Sequence, residues 1–117
     1  MKGQGFLRRF GYACTGITMA FRRERSMRTH GAAVVGVSLF LAVTGAPALW
    51  WAIVGLAVGL VLVAEMANTA VETLADLLHP GQHPEIGVAK DVAAGAVLIA
   101  TIVAIGVGLA YCAELLR

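Results

Sequence analysis

Charge is scarce in this chain: 14% of its residues are charged, 59% are hydrophobic, and the mean hydropathy is +0.82. A soluble domain carries roughly 25% charged residues, so the polar surface that a water-facing globule needs is missing. Cysteine is nearly absent. Cys14 and Cys112 are the two present; the topology derived below puts them on opposite sides of a membrane, which excludes an intramolecular disulfide on reach alone, and both read as packing residues. Also missing are a GxxxxGK[ST] phosphate loop, a kinase-type glycine-rich loop and a GxSxG nucleophile elbow, so any phosphate chemistry here cannot rest on a backbone cradle. No internal repeat or low-complexity tract occurs, and 117 residues suffice for one domain.

What the chain does have is long uncharged runs. No charged residue falls between Gly31 and Ala64 or between Val92 and Ala113. The first run is too long for one span of about 20 residues, and Thr44-Gly45-Ala46-Pro47 divides it, because proline cannot continue a helix. Three transmembrane helices follow, at about 29–46, 48–78 and 92–115, with a 79–90 loop between the last two. Seven of the nine basic residues (Lys2, Arg8, Arg9, Arg22, Arg23, Arg25 and Arg28) precede the first span. The positive-inside rule therefore keeps the N-terminus and the 79–90 loop in the cytoplasm and puts the C-terminus outside. The same basic stretch, lacking an apolar core, argues against a secretory signal peptide.

Within residues 1–28, positions 4–23 form a basic amphipathic surface helix, with Phe6, Phe10, Ala13, Ile17, Ala20 and Phe21 recurring at three- and four-residue steps. Its arginines are read as meeting anionic lipid head groups, not nucleic acid. Small residues crowd the spans, including Gly55 and Gly59 in a GxxxG pair, Ala32 and Gly36, and Ala93, Ala94, Gly95, Gly106 and Gly108. Such residues let helices approach closely in lipid, and three helices bury little alone, so a homo-oligomer is expected.

Chemistry concentrates in one helical stretch. Glu65, Asn68, Glu72 and Asp76 lie within an arc of about 80° on one face of the second span. Ionisable groups at membrane depth persist mainly when paired or functional. Hydrogen bonds sealed between helices account for Asn68, but not for three carboxylates with few cations to match. Carboxylate oxygens suit Mg²⁺, which is usually held by one or two carboxylates plus substrate phosphates. The stripe runs toward the cytoplasmic end, where ATP is available and where Lys90 and Asp91 open the third span. Lys90 is a phosphate contact or a topology anchor. Glu24 is an i,i+4 partner of Arg28 or completes a metal site from the cytoplasmic side. His79 and His83 share i,i+4 spacing, but the neighbouring prolines argue against the helix that would align them.

The run Glu65-x-x-Asn68-Thr69-Ala70-x-Glu72-x-x-x-Asp76, followed by Ala89-Lys90-Asp91-x-Ala93-Ala94-Gly95-Ala96-Val97, resembles the prokaryotic diacylglycerol kinase family, which includes undecaprenol kinases. Glu24-Arg25-Ser26-x-Arg28-x-His30 and Phe10-x-Tyr12-Ala13-x-x-Gly16 match as well. The resemblance implies an all-α membrane protein with a surface helix and three spans, assembled as a homotrimer with composite active sites. It implies Mg²⁺- and ATP-dependent phosphorylation of a lipid hydroxyl, on diacylglycerol or undecaprenol, at the cytoplasmic face of the bacterial inner membrane. Glu65 takes the place of the general base, Glu24 and Glu72 of the metal ligands, and Tyr12, Gln82, His83, Lys90 and Asp91 of nucleotide contacts. Asn68 and Asp76 match further active-site positions. One departure is Gly5, where family members often carry arginine; Arg8 or Arg9 is the substitute. The Glu24–His30 stretch and the His83-Pro84 loop lean toward the undecaprenol branch. The rival class is a non-catalytic small transporter or ion-relay subunit, and a metal-dependent lipid phosphatase is a second rival.

Overall fold

A computed structural model describes residues 3–117; Lys2, one of the basic residues counted for the expected orientation, lies outside them. The described chain is four helices without strands: α1 (Phe6–Arg23), α2 (Arg25–Val43), α3 (Ala48–Leu78) and α4 (Pro84–Leu116). Three of them, α2, α3 and α4, are long and apolar enough to cross a membrane.

Residues 1–28 are not one surface segment. The chain turns at Glu24, whose extended backbone (φ −107°, ψ 120°) ends α1 and starts α2. Arg28 stabilises this elbow by donating from Nη1 to the carbonyls of Phe21 (3.0 Å) and Arg22 (2.9 Å). The last carbonyls of a helix lack internal partners and carry its negative dipole end, so a guanidinium suits them. Gly31 lets the elbow close: a Cβ there would lie 2.9 Å from the Phe21 ring. The helix that carries the first span thus starts at Arg25, ahead of Thr29, because Arg25 and Arg28 lie before the uncharged run and still join the helix.

At the far end α2 stops at Val43. Gly45 adopts φ +67°, a left-handed conformation that costs other residues about 1–2 kcal/mol. The Gly45 N–H then bonds to the Ala42 carbonyl and the Ala46 N–H to that of Leu41, which satisfies two of the helix's free carbonyls. Pro47 starts α3 with a backbone suited to a cap. Close by, Tyr111 of α4 is buried with Leu41 and Val54, its ring between Phe40 and Trp50 and its hydroxyl bonded to the Thr44 side chain.

The expected 79–90 loop is shorter than the residues suggested. Pro84 occupies the first turn of α4, where the missing N–H costs nothing, and His83 caps that turn by accepting the Glu85 N–H on Nδ1 at 3.1 Å. Helix α4 therefore covers Pro84–Leu116, and the connection is His79–His83. With 31 and 33 residues, α3 and α4 are each about 45–50 Å long at 1.5 Å per residue, so both extend past a hydrocarbon core of about 30 Å.

Helices α3 and α4 pack along one another, and α2 leans on α3. The backbones of α2 and α4 stay apart and leave a groove of about 430 Å³ over α3, lined from His30 to Tyr111 mainly by apolar side chains. The glycines of the spans are not close-approach points inside the chain: a Cβ on Gly36, Gly55, Gly59, Gly95, Gly106 or Gly108 would meet nothing within 4 Å. Cys14 and Cys112 are both exposed, so neither is the packing residue expected from the sequence.

Candidate active site

The polar stripe of α3 is built as its periodicity requires, but each member finds a partner in the same chain. Glu65 is the one charged residue buried among the described residues, 6% exposed. Burying a carboxylate is costly unless hydrogen bonds and opposite charge compensate it. Ser26 donates its hydroxyl to Oε1 at 2.6 Å, and His30 places Nε2 at 3.4 Å from Oε2. Both come from α2, four residues apart and so on one face, just past the elbow.

One turn further along α3, Asn68 donates from Nδ2 to Oε1 of Glu72 at 3.5 Å. That leaves Asn68 Oδ1 buried without a partner among the described residues. An orphaned buried acceptor costs about 1–3 kcal/mol, and it fits a site that a hydroxyl, a metal-bound water or a cation completes. At the end of α3, Asp76 Oδ1 accepts from Lys90 Nζ at 2.6 Å across the His79–His83 turn. Lys90 is therefore an ion-pair partner in this structure, a role the sequence did not suggest, and the stripe has the cation that its composition seemed to lack. Of the two readings of Glu24, the i,i+4 pair with Arg28 is not made among the described residues, since Arg28 goes to the carbonyls of α1.

The other candidate residues make no side-chain hydrogen bond or ion pair with this stripe among the described residues. Glu24 is at the elbow, half-buried; Tyr12 is exposed on α1; Gln82 and His83 lie in the short turn; Asp91 follows Lys90 on the exposed side of α4. The rings of His79 and His83 meet edge to face, 4.9 Å apart, without the helix that would otherwise have aligned them. Among the described residues no three His, Cys, Asp or Glu side chains gather as a metal site. A single chain thus offers carboxylates on separate elements, which suits a cation that takes one or two of them and completes its shell from phosphates. Glu72 and the free Asn68 oxygen are hard oxygen donors of the type such a cation prefers.

Ser26 and His30 are the residues of this cluster that sequence reasoning did not single out as a site. Their signal was a serine and a histidine at i,i+4 on a span, facing the helix that carries the stripe.

Comparison with known proteins gives the arrangement its context. A diacylglycerol kinase from Synechocystis is 38% identical over 100 residues, which cover 85% of this chain and 57% of that protein. An undecaprenol kinase from Bacillus subtilis is 34% identical over 104 residues, covering 89% of this chain and 85% of the relative. A diacylglycerol kinase from Escherichia coli is 33% identical over 95 residues, covering 81% and 78%. A family described as prokaryotic diacylglycerol kinase matches residues 11–112, from the surface helix through the stripe to the far end of α4. The chain therefore belongs to the prokaryotic diacylglycerol kinase family, a family of membrane lipid kinases.

Proposed function

We propose that this chain transfers the γ-phosphoryl group of ATP to the hydroxyl of a membrane lipid at the cytoplasmic face of the bacterial inner membrane. The observation that carries the reading is Glu65, a carboxylate buried within a helix long and apolar enough to span a membrane and held by Ser26 and His30 in a chain whose relatives are named as lipid kinases. Phosphoryl transfer asks a protein for positioning and charge neutralisation more than for covalent chemistry. A base buried in a span can meet a hydroxyl that never leaves the bilayer.

In this reading Glu65 accepts the hydroxyl proton as general base. Glu24 and Glu72 hold Mg²⁺, which supplies neutralisation of the β- and γ-phosphate charge when bound. Asn68 adds its free oxygen beside Glu72. Tyr12, Gln82, His83, Lys90 and Asp91 contact the nucleotide, with Asp76 holding Lys90 until phosphate takes its place. Arg8 or Arg9 stands in for the arginine that Gly5 lacks. Glu24 and the stripe lie on different elements without a direct bond, and the glycine faces are unpartnered. Both features support a homotrimer in which neighbouring subunits complete each site. The acceptor is diacylglycerol or undecaprenol, the substrates named in the relatives, with the Glu24–His30 stretch favouring undecaprenol.

The test is transfer of labelled phosphate from ATP, in Mg²⁺-containing mixed micelles, to diacylglycerol and undecaprenol side by side. Lipid product is expected with one of them, and Glu65→Gln should abolish turnover while Mg-ATP still binds. Normal turnover in Glu65→Gln would remove the base assignment. ATP-independent ion flux in liposomes, without lipid product, would favour the ion-relay class.

A further inference from the structure

A carboxylate needs a partner to be aimed, because the last torsion of a glutamate side chain is broad and has no single preferred setting. Glu65 has one close partner. Ser26 donates to its Oε1 at 2.6 Å, a usual length for a hydroxyl on a carboxylate oxygen. His30 Nε2 stands 3.4 Å from Oε2, longer than most hydrogen bonds, and so fixes the carboxylate less closely. The helix break explains why this serine is free to reach α3. Thr15, Thr18, Thr29, Thr44 and Thr101 each donate back to the carbonyl four residues earlier, as hydroxyls in helices commonly do. Ser26 follows Arg25, the first residue of α2, so its own helix offers no such carbonyl. The residue four positions back is Arg22 in α1, whose carbonyl already accepts from Arg28 Nη1 at 2.9 Å.

The elbow has other supports than this bond. Arg28 ties it to the carbonyls of Phe21 and Arg22, the Phe21 ring lies against Gly31, and Met27 is 1% exposed. Loss of the Ser26 hydroxyl therefore falls on the carboxylate rather than on the packing of α2. We propose that Ser26 is a positioning residue for the transfer: it fixes the Glu65 carboxylate through Oε1 and leaves Oε2 as the oxygen that takes the acceptor's proton. This rests on the lipid-kinase reading above, with Glu65 as the general base. The lipid O–H bond breaks toward Oε2 as the hydroxyl oxygen bonds to the γ-phosphorus of ATP. The bond from that phosphorus to the β–γ bridging oxygen breaks, and ADP leaves with the electron pair. Ser26 keeps its own proton throughout, and a base held in one orientation meets the hydroxyl already aligned.

The experiment compares the full-length wild-type protein with Ser26→Ala, Ser26→Cys and Ser26→Thr in the two-lipid assay, with Mg-ATP binding measured for each as the check of folding. Ser26→Ala should lower kcat by about tenfold or more, the scale on which a misplaced catalytic group costs rate, with the KM for Mg-ATP unchanged. Ser26→Cys keeps the shape but donates weakly, so it should be slow as well. Ser26→Thr keeps the hydroxyl and should recover most of the rate. A Ser26→Ala enzyme with wild-type kcat overturns the inference. So does a Ser26→Cys enzyme as fast as wild type, since filling the space would then be the whole role. A Ser26→Thr protein that binds Mg-ATP yet is as slow as Ser26→Ala overturns it too, as does a raised KM for Mg-ATP with kcat kept, which would put the role at the elbow. Should Ser26→Ala fail to fold, the contrast between Ser26→Thr and Ser26→Cys decides by itself. Absence of lipid product from the wild-type protein, or normal turnover in Glu65→Gln, is a separate result, which removes the reading on which this inference rests.

Discussion

The stripe on α3 contains three carboxylates in three different environments, and their partners separate structural from chemical roles. Asp76 and Lys90 are exposed and paired at 2.6 Å. Solvent screens exposed pairs, so Asp76→Asn should change stability little. If Asp76 positions Lys90 for phosphate, the same variant should raise the KM for Mg-ATP; a shift in unfolding midpoint with unchanged kinetics would make the pair structural. Glu72 has the weaker contact to Asn68, at 3.5 Å, and remains available to a cation. Glu72→Gln should weaken Mg-ATP binding by tenfold or more, about 1.4 kcal/mol per decade, read from a nucleotide titration at fixed Mg²⁺. An unchanged affinity would count against its role as a ligand. Glu65 was legible as a site residue because its charge interrupts an apolar run. Ser26 and His30 were not, because neither residue type is unusual at the head of a span and only the approach of α2 to α3 gives them something to hold.

At the scale of elements, the turns decide where the spans begin and end. The α2–α3 turn was readable because it depends on local backbone chemistry: Gly45 at φ +67°, two N–H groups returned to Ala42 and Leu41, and Pro47 to stop the helix. Gly45→Ala should cost about 1 kcal/mol, measured as a lower midpoint in detergent or denaturant unfolding, with activity kept below that midpoint. The α3–α4 turn was read as too long for a related reason. Pro84 was taken as a breaker, and proline is equally good at the first position of a helix; the His83 cap selects the second use. The α1–α2 elbow was missed because it rests on Arg28 reaching back six and seven residues to α1, a contact between elements that no local pattern records.

For the whole molecule, the notable fact is how little one chain buries. Leu56, Leu60, Val63, Leu98, Ile102 and Ile105 are all exposed, as lipid-facing or subunit-facing residues in a membrane are. Gly55 is exposed too, and a Cβ there would meet nothing of its own chain within 4 Å. In the proposed homotrimer, Gly55→Leu should therefore leave the fold of the chain intact while weakening assembly, seen as a shift from trimer toward monomer in crosslinking or light scattering in mild detergent. An unchanged trimer would place the subunit interface elsewhere on α3. If sites are shared between subunits, activity should fall with the trimer population.

The sequence by itself determined the membrane class, the number of spans and the face of α3 that carries the carboxylates. Each of these depends on composition or on the 3.6-residue period, which are local properties of the chain. Only the tertiary structure decided that Glu65 is held by Ser26 and His30, that Asp76 occupies Lys90, and that α2 and α4 stand apart around a groove. Those facts depend on which helix faces which, and packing between helices is set by side chains distant in the chain.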